Sequence, residues 1–138
     1  MSEKLTSSLE DYLEAICVFI KKNSTVRAID IARILNVSRA STTEALKKLS
    51  EKGLINYGRY DAISLTKNGE ELAELIIEKH NSLYEFFAKV LGSSHDEAQE
   101  NACKIEHIIS PDAMRRIVAF TNYYSKKYGD EFVKKIDL

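Results

Sequence analysis

A thiol, a carboxylate and an imidazole follow one another at an i, i+3, i+4 spacing as Cys103, Glu106 and His107. A helix rotates by about 100° per residue, so this spacing brings the three side chains onto one face. The neighbouring apolar stripe consists of Ala98, Ala102, Ile105 and Ile109. Each polar group at the edge of a core that has no hydrogen-bond partner destabilises the fold by roughly 1 to 3 kcal/mol. One divalent cation could bind all three side chains and remove this cost. The alternative is that Cys103 packs in the core while Glu106 and His107 are solvated.

Two further helical patterns hold metal-competent side chains. His80 lies on an apolar stripe with Ile76 and Leu83, where a lone histidine is more often a hydrogen-bonded core residue than a ligand. Asp11 and Glu14 form an i, i+3 pair near the N-terminus. Together with the first three residues they make a mixed set of oxygen, nitrogen and sulfur donors. This set favours Mn²⁺ or Fe²⁺, with Co²⁺, Ni²⁺ and Zn²⁺ as surrogates, over Ca²⁺, Mg²⁺ or a structural zinc ion.

The composition describes one soluble globular chain of 138 residues, with 44% apolar and 30% charged residues. No apolar run approaches the roughly 20 residues of a membrane span, and Met1 to Glu10 lacks an export signal, so we expect a cytoplasmic protein without a membrane partner. The two cysteines are far apart in sequence, which argues against a disulfide framework. Cys17 falls among apolar residues and is predicted to be core.

The elements that must position these side chains begin with a winged helix-turn-helix pattern. Ser7 or Ser8 is expected to cap the first helix. Two helices, Ala28 to Leu35 and Arg39 to Lys52, are separated by the three-residue turn Asn36 to Ser38. Short strand-like runs, Leu54 to Tyr57 and Ala62 to Leu65, flank a turn at 58 to 61. The order helix, helix, hairpin predicts a winged helix-turn-helix with a small two-stranded wing.

The second half of the sequence is predicted to be helical throughout. Thr66 can cap a long helix that reaches about Leu91, Ser94 opens the helix that bears the Cys103 triplet, and Ser110 with Pro111 opens another that ends at Gly129. The predicted fold is therefore mainly α. We divide it into a winged helix-turn-helix domain, residues 1–70, and an α-helical domain that bears the Cys103 triplet, residues 71–138.

The helix after the turn has the residues of a DNA-reading surface. If Thr42, Ala45, Leu46 and Leu49 face the core, small and basic residues point outward, Ser38 lies at the helix N-terminus, and Arg59 lies at the wing tip. The predicted DNA-binding residues are Ser38, Arg39, Ala40, Thr43, Glu44, Lys47, Lys48 and Arg59. Residues 28–60 hold six basic and three acidic side chains, a local balance of +3 against a net charge of −1 for the chain. This modest excess argues against tight non-specific binding.

With these motifs in place, the sequence resembles the metal-dependent transcriptional repressors that include the diphtheria toxin repressor and the manganese transport regulator. The resemblance rests on the runs Ser8 to Ile16, Asp30 to Ala32, Gly53 to Ile55, Leu65 and Thr66 with Gly69, Lys79 and His80, and Cys103 to His107. The length resembles the short, two-domain form of this family, without the SH3-like domain of the longer iron regulators.

The resemblance implies a ligand set that combines two branches of the family. Asp11, Glu14, His80, Glu106 and His107 match ligands of the manganese branch. Cys103 stands where that branch commonly has glutamate, and cysteine there is typical of the iron branch, which in turn usually has methionine at the position of Asp11. Tyr84 and Gln99 replace a glutamate and a histidine of the iron branch's ancillary site, so we do not predict that site to be intact.

The resemblance also implies a function. The expected protein is a homodimer that binds double-stranded palindromic operator DNA with Mn²⁺ or Fe²⁺ as corepressor and represses genes for uptake of the same metal. The metal would fix the first helix against the dimer core and thereby favour operator binding.

Two other functions are compatible with the same motifs. The chain could be a winged-helix regulator with a small-molecule effector, or none, in which the polar cluster is only structural. A small metalloenzyme with Glu106 or His107 as a base is disfavoured, because the sequence shows no nucleophile motif and no sign of a small-molecule substrate. We therefore expect no enzymatic activity.

Overall fold

The computed structural model describes residues 5–137 of the chain. It separates into two compact units, the first ending at Ile76 and the second beginning at Ile77. Of the described residues, 74% are helical, in agreement with the predicted mainly α class. None of the helices in the described range combines the length and the apolar composition that a membrane span requires.

The first unit is built around three helices: α1 (Ser7–Asn23), α2 (Ala28–Leu35) and α3 (Arg39–Glu51). The predicted cap of α1 is wrong by one residue, since the Thr6 hydroxyl accepts a hydrogen bond from the Leu9 amide at 3.2 Å and both serines lie inside the first turn. The fully buried side chains of this unit include Leu13, Ile16, Ile31, Leu46, Leu49 and Ile55. Since they come from all three helices and one strand, the hydrophobic core of the unit is formed jointly by the helices and the sheet.

The turn between α2 and α3 is as short as the sequence predicts. Asn36 ends α2 in the left-handed conformation, with φ 54°, which asparagine tolerates better than most residues. Ser38 then caps α3 by accepting a hydrogen bond from the Ser41 amide at 3.1 Å. Thr42, Ala45, Leu46 and Leu49 are buried, as predicted. The face of α3 opposite this core therefore points to solvent.

The predicted two-stranded wing is present, and a third strand extends its sheet. Strands β2 (Ile55–Tyr57) and β3 (Ala62–Leu65) form the expected antiparallel hairpin, and β1 (Val26–Arg27) pairs with the other edge of β3. Two residues are too few for an alternating pattern, which explains why the sequence does not indicate β1. The chain passes between β2 and β3 through a short 3-10 turn, Arg59–Asp61.

Gly69 allows the wing and the next helix to pack closely. A Cβ atom at this position would lie 1.8 Å from the Leu54 carbonyl oxygen, a backbone atom that cannot move aside easily. We therefore expect Gly69→Ala to destabilise the protein by at least about 1–3 kcal/mol, the usual cost of forcing extra atoms into a packed site. Urea denaturation will measure this loss, with Gly58→Ala as the control, because a Cβ there meets nothing within 4 Å. Equal stability of the two variants would contradict the prediction.

Helix α4 (Lys67–Glu85) begins in the first unit and continues into the second. The predicted helix to Leu91 is not uniform, because its last turn, Phe86–Val90, is π-helical. The large apolar residues of this helix are not all buried, since Leu75 is 56% exposed. Its buried apolar side chains are Ala73, Ile76 and Leu83, together with Val90 in the π turn. The buried face therefore passes through Ala73, a small residue to which apolar patterning gives little weight.

The second unit adds three helices: α5 (His95–Ile105), α6 (Pro111–Tyr128) and α7 (Glu131–Lys135). The predicted caps are present, since the Ser94 and Ser110 hydroxyls accept from the Glu97 and Ala113 amides. The core cluster contains Leu83, Ala102 and Met114, with Tyr84, Phe87, Ile105, Ile109 and Ile117 packed against it. Helix α4 is thus joined to α5 and α6 by apolar packing.

Candidate metal centre and nucleic-acid interface

The Cys103 triplet lies where α5 ends. Cys103 is in the last turn of the helix, and Glu106 is its C-cap, with helical dihedral angles and its N–H donating to the Ala102 carbonyl at 3.0 Å. His107 is the next residue. Because Glu106 remains helical, the three side chains keep the predicted i, i+3, i+4 relation. Each offers one ligand atom, and these three atoms lie within 4.8 Å of one another.

Glu106 is the most unusual side chain of this group, because it is 1% exposed. The alternative in which it is solvated is therefore wrong. One carboxylate oxygen, Oε2, lies 3.0 Å from His80 Nδ1. Among the residues that the structure describes, the other oxygen, Oε1, has no hydrogen-bond partner, and its contact with His107 Nε2 is 3.5 Å long. A buried acceptor of this kind is costly, which makes it a natural position for a cation.

His80, on α4, contacts the triplet at the Glu106 carboxylate. Its side chain is 17% exposed, and its second ring nitrogen, Nε2, lies 2.6 Å from Gln99 Oε1. The structure thus places predicted ligands of the second unit around the Glu106 carboxylate: His80 contacts it, and the ligand atoms of Cys103, Glu106 and His107 lie within 4.8 Å of one another. Their donor atoms are two imidazoles, a thiol and a buried carboxylate, a combination that suits a divalent transition metal.

Asp11 and Glu14, the other two predicted ligands, lie on α1 in the first unit. Both are half-buried and occupy one side of the helix, three residues apart. Their participation in a common ligand set with the second unit stays a prediction.

The two cysteines have different environments. Cys17 is buried among the core residues of α1, as predicted, and burial raises the pKa of its thiol. Cys103 is exposed. Since the thiolate is the form that binds metals, Cys103 is the cysteine suited to ligation and Cys17 is a core residue.

Gln99 makes a contact with His80 that is not predicted from the sequence. Its position, four residues before Cys103, places it on the same face of α5, which is the signal that could have indicated it. Tyr84 is also engaged, since its hydroxyl lies 2.8 Å from His95 Nδ1 and the two rings meet edge to face. This contact joins α4 to the first turn of α5 and gives His95 a structural partner.

The second candidate surface is the outer face of α3. Ser38, Arg39, Ala40, Glu44, Lys47 and Lys48 are exposed, and Thr43 is half-buried. Lys48 forms an i, i+4 ion pair with Glu44 at 3.4 Å. A convex helix face with small residues near its start and lysines one turn later fits the major groove of DNA. Contact of these residues with DNA stays a prediction.

The wing tip lies close to the start of α3. Arg59 is exposed at the tip, as expected for a residue that reaches DNA. Asp61 adopts a left-handed conformation, with φ 57°, and accepts a hydrogen bond from the Tyr57 hydroxyl at 3.2 Å. The same carboxylate lies 3.9 Å from the Arg39 guanidinium. Burial, followed by the contact with Asp61, raises the pKa of Tyr57, so its hydroxyl remains a donor that fixes the tip.

Two family models match almost the whole chain. Residues 4–63 match the N-terminal DNA-binding domain of the iron-dependent repressors, and residues 66–134 match their metal-binding and dimerisation domain. An HTH-type transcriptional regulator of Methanocaldococcus jannaschii is 36% identical over 89% of this chain and 99% of its own length. The HTH-type transcriptional regulator MntR of Shouchella clausii is 34% identical over 88% of this chain and 84% of its own.

Solved structures agree with the sequence comparisons. The structure of the manganese regulator SloR superimposes with a TM-score of 0.75, at 30% identity, over 86% of this chain and 55% of SloR. A manganese-dependent transcriptional repressor in complex with manganese gives a TM-score of 0.73, also at 30% identity, over 83% of this chain and 53% of the repressor. This chain thus spans about half the length of these proteins. The sequence and the fold together show that the chain belongs to the iron-dependent repressor family of transcriptional regulators, the family of the diphtheria toxin repressor and MntR.

Proposed function

We propose that this protein is a metal-dependent DNA-binding transcriptional repressor that controls genes for metal-ion uptake, with Mn²⁺ or Fe²⁺ as its corepressor. The observation that carries the proposal is the buried Glu106 carboxylate. It has one oxygen without a hydrogen-bond partner in the described part of the chain, in a cluster with two histidines and a cysteine. A chain with both this cluster and a helix-turn-helix is suited to regulate transcription rather than to catalyse a reaction.

The proposed ligands are Asp11, Glu14, His80, Cys103, Glu106 and His107. The cation would supply positive charge that offsets these carboxylates and satisfies the unpaired Glu106 oxygen. Co²⁺, Ni²⁺ and Zn²⁺ would act as surrogates, in keeping with a solved relative, ScaR, that has been obtained with bound Zn²⁺. Cys103 is a softer donor than the oxygen ligands and adds affinity for transition metals over Mg²⁺.

The proposed ligands come from both halves of the chain, and this provides a mechanism by which the metal could regulate DNA binding. Asp11 and Glu14 are on α1 of the DNA-binding half, residues 1–70, and the other four are in the half formed by residues 71–138. Ligation by both halves would restrict their relative motion and lower the ordering cost of binding an operator. This coupling is reciprocal by thermodynamic linkage. If the metal increases the affinity for the operator, the operator increases the affinity for the metal by the same factor.

We further propose that the protein acts in the cytoplasm as a homodimer on a palindromic operator. The second unit carries large apolar side chains that are exposed in the single chain, among them Ile108 at 77%, Phe120 at 48% and Tyr123 at 56%. Apolar surface of this kind marks an association site. Two copies of α3 would then contact two half-sites, with Lys47, Lys48 and Arg59 on the phosphates and Ala40 and Thr43 close to the bases.

Operator binding measured against metal concentration tests the proposed function. With a fluorescent operator fragment and anaerobic titrations of Mn²⁺ and Fe²⁺, we expect at least about a tenfold increase in affinity, corresponding to a coupling of 1–3 kcal/mol. A chelator should reverse the increase. Asp11→Ala and Cys103→Ala should reduce the metal dependence and leave the weak metal-free binding unchanged.

Two results would contradict the proposal. Both variants could keep the metal dependence of the wild type, in which case these side chains are not ligands of the regulatory ion. Operator binding could also be unaffected by metal and chelator, a result that favours the alternative of a winged-helix regulator with a small-molecule effector or none.

A further inference from the structure

The imidazole of His80 contacts a polar group at each of its two nitrogens. Nδ1 lies 3.0 Å from the Glu106 carboxylate, and Nε2 lies 2.6 Å from the Gln99 side-chain oxygen. A neutral imidazole has one N–H, so one nitrogen donates and the other accepts. An ionised carboxylate can only accept, and the amide oxygen of Gln99 also accepts. The two contacts therefore compete for the single proton of the ring.

The outcome of this competition decides whether His80 can bind a metal through Nδ1. If Nε2–H donates to Gln99, the Nδ1 lone pair faces the Glu106 carboxylate. Two acceptors 3.0 Å apart repel each other and attract a cation. If Nδ1–H instead donates to Glu106, the proton occupies the position of the lone pair, and it must move before a metal can bind.

We propose that Gln99 is a positioning residue of the metal centre, which holds His80 as the Nε2–H tautomer and so keeps Nδ1 available for the cation. The inference rests on the proposed function, since it concerns how the same centre takes up its ion. Gln99 is held on α5, four residues before Cys103, so its amide and the Cys103 thiol project from the same face of one helix. A histidine ligand commonly donates its second N–H in this way, and loss of the acceptor typically weakens metal binding by about 10–100-fold.

The side chain at position 99 can be changed without touching the core, because Gln99 is exposed. Gln99→Met keeps the length of the side chain and removes the acceptor, whereas Gln99→Glu keeps an acceptor at the same place. The matched control is Asn101→Met, which removes an amide that donates to Glu97 within the same helix. His80→Gln identifies the His80 signals in nuclear magnetic resonance spectra.

The first measurement uses metal-free protein at alkaline pH, where ¹⁵N-labelled imidazoles are neutral and their shifts report which nitrogen carries the proton. In the wild type and in Gln99→Glu, we expect His80 to be protonated at Nε2. In Gln99→Met, we expect the population to shift toward the Nδ1–H form, because Glu106 becomes the better acceptor. Unchanged His80 shifts in Gln99→Met would overturn the proposal.

The second measurement is the affinity for Mn²⁺ by isothermal titration. We expect the affinity of Gln99→Met for Mn²⁺ to be about 10–100-fold lower than that of the wild type. The affinities of Gln99→Glu and Asn101→Met should be no more than about threefold lower than that of the wild type. Equal losses in Gln99→Met and Gln99→Glu would overturn the proposal, because the acceptor would then not be the property that matters.

Failure of the proposed function gives a different result. A wild-type protein that binds neither Mn²⁺ nor Fe²⁺ would refute the metal-dependent repressor and leave the tautomer spectra as the test of Gln99. A wild type that binds metal as expected, with a Gln99→Met variant of equal affinity and equal spectra, would overturn only the role of Gln99.

Discussion

Glu106→Gln should remove most of the stabilisation of the protein by Mn²⁺. For the wild type, a free Mn²⁺ concentration one hundred times the dissociation constant should raise the free energy of unfolding by about 2.7 kcal/mol. The glutamine keeps the shape of the side chain and loses its charge, and a hundredfold weaker site would give only about 0.4 kcal/mol at the same concentration. Urea denaturation with Mn²⁺ and with chelator measures both values.

The control for this variant is Glu100→Gln, the same substitution on the same helix. Glu100 is exposed and pairs with Lys104 at 2.8 Å, and this ion pair lowers the pKa of its carboxyl. We expect this variant to retain the full stabilisation by Mn²⁺. If Glu106→Gln also retained it, Glu106 would not be a ligand. If both variants lost it equally, the effect would come from the net charge of the helix.

The double variant Lys47→Ala/Lys48→Ala should lose operator affinity with no change in metal affinity. Both lysines are exposed on the outer face of α3. In a dimer the variant removes four phosphate contacts, and each contact contributes about 0.9 to the slope of log K against log salt. The slope should therefore decrease in magnitude by about 3.6. Fluorescence anisotropy at several salt concentrations gives the slope, and titration of Mn²⁺ gives the metal affinity.

Lys89→Ala/Lys135→Ala provides a control with the same change of charge. Lys89 and Lys135 form i, i+4 ion pairs with Glu85 and Glu131, at 3.2 Å and 2.7 Å, as Lys48 does with Glu44. These pairs lie in the second unit, so we expect the salt slope of the wild type. Equal slopes for the two double variants would show that α3 does not bind DNA through these lysines.

The local elements could be predicted because their signals are local. Ser38, Ser94 and Ser110 cap helices where the sequence places them, and the buried face of α3 follows the helical period. The spacing of Cys103, Glu106 and His107 was sufficient to place three donor atoms on one face. Short-range geometry determines these features, whatever the rest of the chain does.

Features that depend on distant segments could not be predicted in the same way. Strand β1 exists because Val26 and Arg27 meet β3, whose residues lie more than thirty positions away in sequence. Leu75 is exposed although it is apolar, because the buried face of α4 runs through Ala73 and Ile76. Periodicity predicts which residues share a face, but only the neighbouring elements decide how wide its buried part is.

The candidate metal centre contains both kinds of feature, those set by local sequence and those set by distant segments. The metal-competent residues, the donor chemistry that favours Mn²⁺ or Fe²⁺, and the resemblance to a family of repressors can all be read from residue types and spacing. The burial of Glu106, its one oxygen without a hydrogen-bond partner among the described residues, and the position of His80 between Glu106 and Gln99 depend on how the helices pack. The reason is physical: burial and hydrogen bonding result from the packing of α4 against α5, which brings together side chains 19 and 26 residues apart.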